Sequence, residues 1–129
     1  MKLLFKYYKL TLGWALFILV ICNMPMGEIG NSPRFFAGFD KLVHCGLFFV
    51  FDILIVHAII QQRRNLTWLN AVKALTISIA YGALIELLQL YVFTWRSGDW
   101  NDLFADAVGA GMATFGSILT VTLVSNEKI

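Results

Sequence analysis

Acidic side chains are concentrated between Tyr81 and Gly111, in the stretch YGALIELLQLYVFTWRSGDWNDLFADAVGAG. Four of the chain's eight acidic residues fall here, together with one glutamine and one arginine. These residues are Glu86, Gln89, Arg96, Asp99, Asp102 and Asp106. Carboxylates can transfer protons or bind Mg²⁺ or Ca²⁺, and an arginine can hold a phosphate or carboxylate by a forked contact. The stretch therefore contains the side-chain types of a ligand-binding or catalytic site.

The composition indicates an integral membrane protein. The chain has 129 residues, of which 59% are hydrophobic and 14% are charged, and its mean hydropathy is +0.74. Long apolar segments with so few charges are typical of membrane proteins. The formal net charge of +2 is too small to indicate nucleic-acid binding. The length fits a single domain over residues 1–129, with membrane lipids as its surroundings.

Four segments are long enough to cross a bilayer as helices, which takes about 20 apolar residues. The sequence therefore predicts an all-α bundle of four transmembrane helices. They cover residues 7–26, 42–60, 74–93 and 103–124, approximately.

Lysine and arginine in the short loops predict the orientation. Positive charges accumulate in the N-terminal tail and in the connection between helices two and three, at Lys2, Lys6, Lys9, Arg63, Arg64 and Lys73. Cytoplasmic loops carry such an excess. We therefore expect both termini to be cytoplasmic, and the first and third connections to face outward.

With this orientation, polar residues from three chain segments reach the same depth. The second helix begins at the outer side with Asp40, Lys41 and His44. Glu86 and Gln89 lie in the outer third of the third helix, and the three aspartates lie at the outer start of the fourth. Asp99 also suits the helix N-cap, which offers a purely structural role for Asp99 and Asp102.

The helical faces agree with this convergence. Spacings of three and four residues place one stripe on the third helix and another on the fourth. The first stripe comprises Ser78, Gly82, Glu86, Gln89 and Phe93, and the second comprises Asp102, Asp106, Gly109, Ala113 and Gly116. Small residues on a stripe allow close approach of helices in a membrane. A charge facing lipid costs about 3 kcal/mol, so we expect Glu86 to face the bundle and to pair with His44, Lys41 or Arg96.

These motifs resemble the VanZ-like membrane proteins. The resemblance rests on D40-K41-x2-H44, E86-x2-Q89 and R96-x2-D99-x2-D102-x3-D106-x2-G109, an ordered set that spans most of the chain. The family pattern has Asn where this chain has Asp106. The resemblance implies a multi-pass protein of the bacterial cytoplasmic membrane. The family's namesake is linked with resistance to the glycopeptide antibiotic teicoplanin.

Three functions fit these residues. The first is a non-catalytic envelope protein whose outward polar cluster locks the helices together and binds a lipid, a lipid-linked cell-wall component or a glycopeptide. The ligand-binding residues would be Asp40, Lys41, Gln89, Arg96, Asp99, Asp102 and Asp106. No cofactor is required by the sequence, and an oligomer is compatible with it.

The second function is an enzyme that acts on a lipid-linked substrate at the outer leaflet. Glu86 would be a general base and His44 its proton-transfer partner. A divalent cation would have Asp99, Asp102, Asp106 and Glu86 as candidate ligands. No familiar hydrolase or phosphate-binding motif accompanies them.

The third function is a small proton-coupled transporter. The acids cluster at one end and do not mark a path through the midplane, which disfavours this function. Asp52, near the middle of the second helix, is the exception, and a structural role would pair it with a hydroxyl of Ser78, Thr76 or Thr114. Cys22 and Cys45 are interpreted as small buried residues, with a disulfide as the alternative.

Overall fold

The computed structural model describes residues 2–23, 39–93 and 100–127, which form four helices, the short connection between the second and third helix, and two residues after the third helix. The helices are α1 (Lys2–Asn23), α2 (Phe39–Arg63), α3 (Trp68–Tyr91) and α4 (Trp100–Glu127). Each contains a segment long and apolar enough to cross a membrane. These segments are Phe5–Asn23, Lys41–Arg63, Trp68–Tyr91 and Trp100–Val124. The prediction of an all-α protein with four membrane-spanning helices is confirmed.

The helices extend beyond several of the predicted spans. α1 begins at Lys2 instead of Tyr7, and α3 begins at Trp68 instead of Ala74. Thr67 is the N-cap of α3, and its side-chain oxygen accepts a hydrogen bond from the amide of Asn70 at 3.2 Å. Apolar content predicts only the part of a helix that lies in lipid. The helix itself ends where a capping residue satisfies the backbone N–H or C=O groups that have no partner within the helix.

α2 is the central helix of the bundle. It packs most extensively against α4 and also contacts α1 and α3. Ile18, Phe48, Phe51, Ile55 and Ile85 are fully or almost fully buried in the apolar core between α1, α2 and α3. Large apolar residues on the outer faces of all four helices are exposed, as expected for surfaces in contact with lipid.

α2 and α4 approach each other closely at Gly109. A methyl group at this position would lie 2.9 Å from the carbonyl carbon of Cys45 and 3.1 Å from its Cα, and it would overlap the carbonyl oxygen. Only glycine fits against the α2 backbone here. This agrees with the small-residue stripe predicted for the fourth helix.

α1 is attached to the bundle by three hydrogen bonds from side chains to backbone carbonyl oxygens. Trp14 Nε1 donates to Leu47 O at 2.9 Å. The Tyr81 hydroxyl donates to Ala15 O at 2.6 Å, and Gln89 Nε2 donates to Cys22 O at 2.8 Å. Cys22 is near the C-terminal end of α1, where carbonyls have no partner within the helix. Gln89 therefore also completes the end of α1.

Asp52 is the centre of a polar network midway along α2. It is fully buried, and each carboxylate oxygen accepts one hydroxyl. Ser78 Oγ donates to Oδ1 at 2.9 Å, and Thr114 Oγ1 donates to Oδ2 at 2.6 Å. The predicted pairing of Asp52 with hydroxyls is confirmed for these two residues, whereas the Thr76 hydroxyl donates to Val72 O. The network links α2, α3 and α4.

The two cysteines are in different environments. Cys22 is buried near the end of α1, and Cys45 is half-buried beside Gly109 on α2. The structure holds no disulfide between them, although both are in the described helices.

Candidate functional site

A second polar cluster lies where the start of α2, the last third of α3 and the start of α4 meet. α2 and α4 run in one direction and α3 in the other, so these three segments share one end of the bundle. The cluster consists of Lys41, His44, Glu86, Asp102 and Asp106, and we call it the His44 cluster. The predicted convergence of polar residues from three helices is therefore present.

The imidazole of His44 lies between two carboxylates of α4. Its Nδ1 is 2.9 Å from Asp106 Oδ1, and its Nε2 is 3.6 Å from Asp102 Oδ2. Asp102 and Asp106 are four residues apart and therefore project from the same face of α4. Nδ1 is therefore within hydrogen-bonding distance of one carboxylate, and Nε2 faces the other at ion-pair distance.

Lys41 connects the cluster to the surface. Its ammonium group pairs with Asp102 Oδ1 at 2.5 Å. The Lys41 side chain is 31% exposed and the Asp102 side chain 10%, whereas Glu86 and Asp106 are 0% exposed. The charged groups therefore form a series from the partly exposed Lys41, through Asp102 and His44, to two fully buried acids.

Glu86 completes the buried end of the cluster. One ligand atom each from His44, Glu86 and Asp106 lie within 4.8 Å of one another. Glu86 belongs to the inward face of α3, as the stripe on that helix predicts. Nitrogen and carboxylate oxygen atoms at this spacing can share a proton, receive a ligand's N–H or O–H groups, or coordinate a cation.

Asp106 has one carboxylate oxygen that is not used. Oδ1 faces His44, but Oδ2 is buried and has no hydrogen-bond partner within the described residues. Gly82 of α3 packs directly against this oxygen, since a methyl group there would lie only 2.9 Å from Asp106 Oδ2 and 3.2 Å from Leu103 Cδ1. Both oxygens of the equally buried Asp52 are hydrogen-bonded. The two buried acids thus differ in how completely they are satisfied.

The other predicted site residues are placed as follows. Gln89 is buried, and its amide donates to Cys22 O at the end of α1. The backbone of Asp40 belongs to α2, and its side chain is outside the described part of the structure, as are Arg96 and Asp99 entirely. Roles in ligand binding for these four residues stay predictions.

The sequence interpretation missed the particular partners within the cluster. It considered Lys41, His44 and Arg96 as partners of Glu86, and it did not consider the pairs that Lys41 forms with Asp102 and that His44 forms with Asp106. The spacing of these residues could have predicted the pairs. Lys41 and His44 are three residues apart on one face of α2, and Asp102 and Asp106 are four apart on one face of α4. Basic and acidic faces on neighbouring helices are expected to pair.

A comparison with known protein families agrees with this arrangement. The model of the VanZ/LLP1 family matches residues 4–121, which include α2, α3, most of α1 and α4, and every residue of the His44 cluster. No curated protein and no solved structure gives a significant match. The chain belongs to the VanZ/LLP1 family of membrane proteins.

Proposed function

We propose that this VanZ/LLP1-family protein is an envelope protein of the bacterial cytoplasmic membrane that binds the polar part of a ligand at the His44 cluster. The proposed ligand is a lipid-linked cell-wall component or a glycopeptide of the teicoplanin type. In this proposal both termini are cytoplasmic and the cluster faces outward, as the distribution of lysine and arginine predicts.

The observation that carries the proposal is the unused Oδ2 of the fully buried Asp106. A buried acceptor without a partner costs about 1–3 kcal/mol. The Asp52 network links the same three helices with both of its oxygens satisfied. A buried acid can therefore link the three helices with both of its oxygens hydrogen-bonded. The Oδ2 of Asp106 that lacks such a partner would accept a hydrogen bond from a bound ligand.

The charges of the cluster indicate the chemistry of the ligand. Three carboxylates lie with one ammonium group and one imidazole, so negative charge is in excess even when His44 is protonated. An anionic phosphate would be repelled by such a group. A ligand region rich in N–H and O–H donors, or a cationic group, fits it better. Saccharides, amides and the amines of glycopeptides offer these donors.

A pair of isosteric variants tests the proposal. Glu86→Gln removes a charge from the His44 cluster, and Asp52→Asn removes one from the complete network. Both keep the side-chain size. We expect both proteins to stay folded in detergent, and only Glu86→Gln to lose the thermal stabilisation that teicoplanin or an envelope lipid extract gives the unchanged protein. Absence of any ligand effect on the unchanged protein, or an equal effect on both variants, would contradict the proposal.

The position of His44 between two carboxylates favours a second function, acid–base catalysis on a lipid-linked substrate. Glu86 would accept a proton from the substrate or from water, and His44 would exchange protons with Asp106 and Asp102. Mass spectrometry of envelope lipids incubated with the purified protein tests this function. The expected product forms with the unchanged chain and with Asp52→Asn, and it is absent with His44→Gln.

A further inference from the structure

We propose that His44, Glu86 and Asp106 coordinate a divalent transition-metal ion of the Zn²⁺ class. The proposal rests on the proposed function in one respect, which is that the His44 cluster receives a ligand. It adds that the first ligand to enter is an ion, on which the polar part of a larger ligand is then held.

The spacing of the three side chains fits an ion of this kind. Zn²⁺ binds histidine nitrogen and carboxylate oxygen at about 2.0–2.2 Å, so neighbouring ligand atoms stand about 3–3.5 Å apart. His44 Nδ1 and Asp106 Oδ1 are 2.9 Å apart, and all three ligand atoms lie within 4.8 Å of one another. A closure of up to about 1.5 Å at the widest pair completes the set, which the rotatable bonds of Glu86 can supply.

The donor set also distinguishes between ions. Imidazole suits zinc, iron, copper and nickel, whereas magnesium and calcium prefer oxygen ligands throughout. One nitrogen with two carboxylates therefore favours Zn²⁺ over Mg²⁺ or Ca²⁺. This changes the sequence-based expectation, in which Asp99, Asp102, Asp106 and Glu86 were the candidate ligands for an oxygen-preferring ion.

A divalent cation would balance the charge of the buried acids. Glu86 and Asp106 are both 0% exposed at one end of a membrane-spanning bundle. Two carboxylates and one M²⁺ ion sum to zero, which removes the cost of buried excess charge. The ion would also be the partner of Asp106 Oδ2, which is buried and has no hydrogen-bond partner among the described residues.

Asp102 and Lys41 have the arrangement of an outer coordination shell. If Nδ1 of His44 binds the ion, its Nε2–H points to Asp102 Oδ2, 3.6 Å away. Asp102 is itself held by Lys41. A carboxylate behind a ligating histidine fixes the ring and raises its basicity. With three protein ligands, at least one coordination position is left for water or for a group of the larger ligand.

The test is metal binding by the purified full-length chain in detergent after treatment with a chelator. Isothermal titration with ZnCl₂ should give one ion per chain, with Mg²⁺ and Ca²⁺ binding at least tenfold more weakly. Co²⁺ should give the visible absorption bands of a bound ion with nitrogen and oxygen ligands. Glu86→Gln and Asp106→Asn should each weaken Zn²⁺ binding at least tenfold.

Three control variants separate this site from others. Asp52→Asn changes a buried acid outside the cluster, and His57→Gln removes the exposed histidine of α2. Both should bind Zn²⁺ as the unchanged chain does. Gly82→Ala places a methyl group 2.9 Å from Asp106 Oδ2, which displaces this carboxylate and should weaken binding, whereas Gly111→Ala meets no atom within 4 Å and should not.

Either of two results would overturn the metal site. One is that the unchanged chain binds no Zn²⁺, and the other is that the cluster variants bind Zn²⁺ as tightly as the controls do. If the cluster variants fail to fold, the Co²⁺ spectrum and the rise in melting temperature with Zn²⁺ in the unchanged chain decide. Zn²⁺ binding without any teicoplanin or lipid effect would support the ion and reject the larger ligand. A teicoplanin or lipid effect without Zn²⁺ binding would reject the ion and support the larger ligand.

Discussion

Replacement of Gly109 by alanine is expected to force α2 and α4 apart. The new methyl group would lie 2.9 Å from the carbonyl carbon of Cys45 and would overlap its oxygen. Ordinary contact between such atoms needs a shift of about 1 Å, and the obstacle is backbone, which cannot rotate away. Overpacking of this kind costs about 1–3 kcal/mol. Alanine returns about 1 kcal/mol through its higher helix propensity, so we expect a net destabilisation of up to about 2 kcal/mol.

The same substitution should also disturb the His44 cluster. Cys45 follows His44 directly, and Gly109 lies one turn after Asp106. A separation of about 1 Å would extend the 2.9 Å contact between His44 Nδ1 and Asp106 Oδ1 beyond hydrogen-bonding distance. Gly109→Ala is therefore expected to lower the affinity for Zn²⁺ as well as the melting temperature.

Thermal unfolding in detergent, measured beside Gly111→Ala, provides the assay. Gly111 is on the same helix, and a methyl group there meets nothing within 4 Å. The control should be as stable as the unchanged chain, or more stable by up to about 1 kcal/mol. Equal melting temperatures for Gly109→Ala and Gly111→Ala would refute the close helix contact and the reasoning built on it.

Three further predictions concern other parts of the bundle. Asp52→Ala should lower the free energy of unfolding by about 1–3 kcal/mol because two buried hydroxyls lose their acceptor, whereas Asp52→Asn should cost less in the same thermal assay. Gln89→Leu removes the donor to Cys22 O and should cost about 1 kcal/mol, detected as earlier proteolysis of α1. In a background without native cysteines, impermeant thiol reagents added to whole cells should label Gly98→Cys and spare Asn65→Cys. The reverse labelling pattern would overturn the proposed orientation.

Hydropathy predicted the number and type of the helices but not their ends. The third helix illustrates the reason. Its apolar part suggested a start at Ala74, yet the turns containing Trp68, Asn70 and Lys73 continue the helix back to the Thr67 cap. Such residues suit the membrane interface, so they lower the hydropathy without ending the helix. Helix ends are therefore better read from caps than from apolar content.

The convergence at the His44 cluster could be predicted, but the pairings within it could not. Alternation of helix direction is enough to bring Glu86 and Asp106 to one end of the bundle. The pairing of His44 with Asp106 depends on how α2 is rotated against α4, which the contact of Gly109 with Cys45 fixes. Gln89 follows Glu86 by three residues, an angular offset of about 60° around the helix axis. That offset is sufficient to direct it to α1.

The attachment of α1 has a consequence for how freely this sequence can diverge. The acceptors for Trp14, Tyr81 and Gln89 are all backbone carbonyl oxygens. Every amino acid supplies that group, so the acceptor positions carry no requirement on residue type through these bonds. Among the partners in these bonds, only the three donors are constrained in residue type. Related chains can therefore vary at the acceptor positions without losing these bonds, as long as the three donor side chains and the apolar packing of Ile18 are retained.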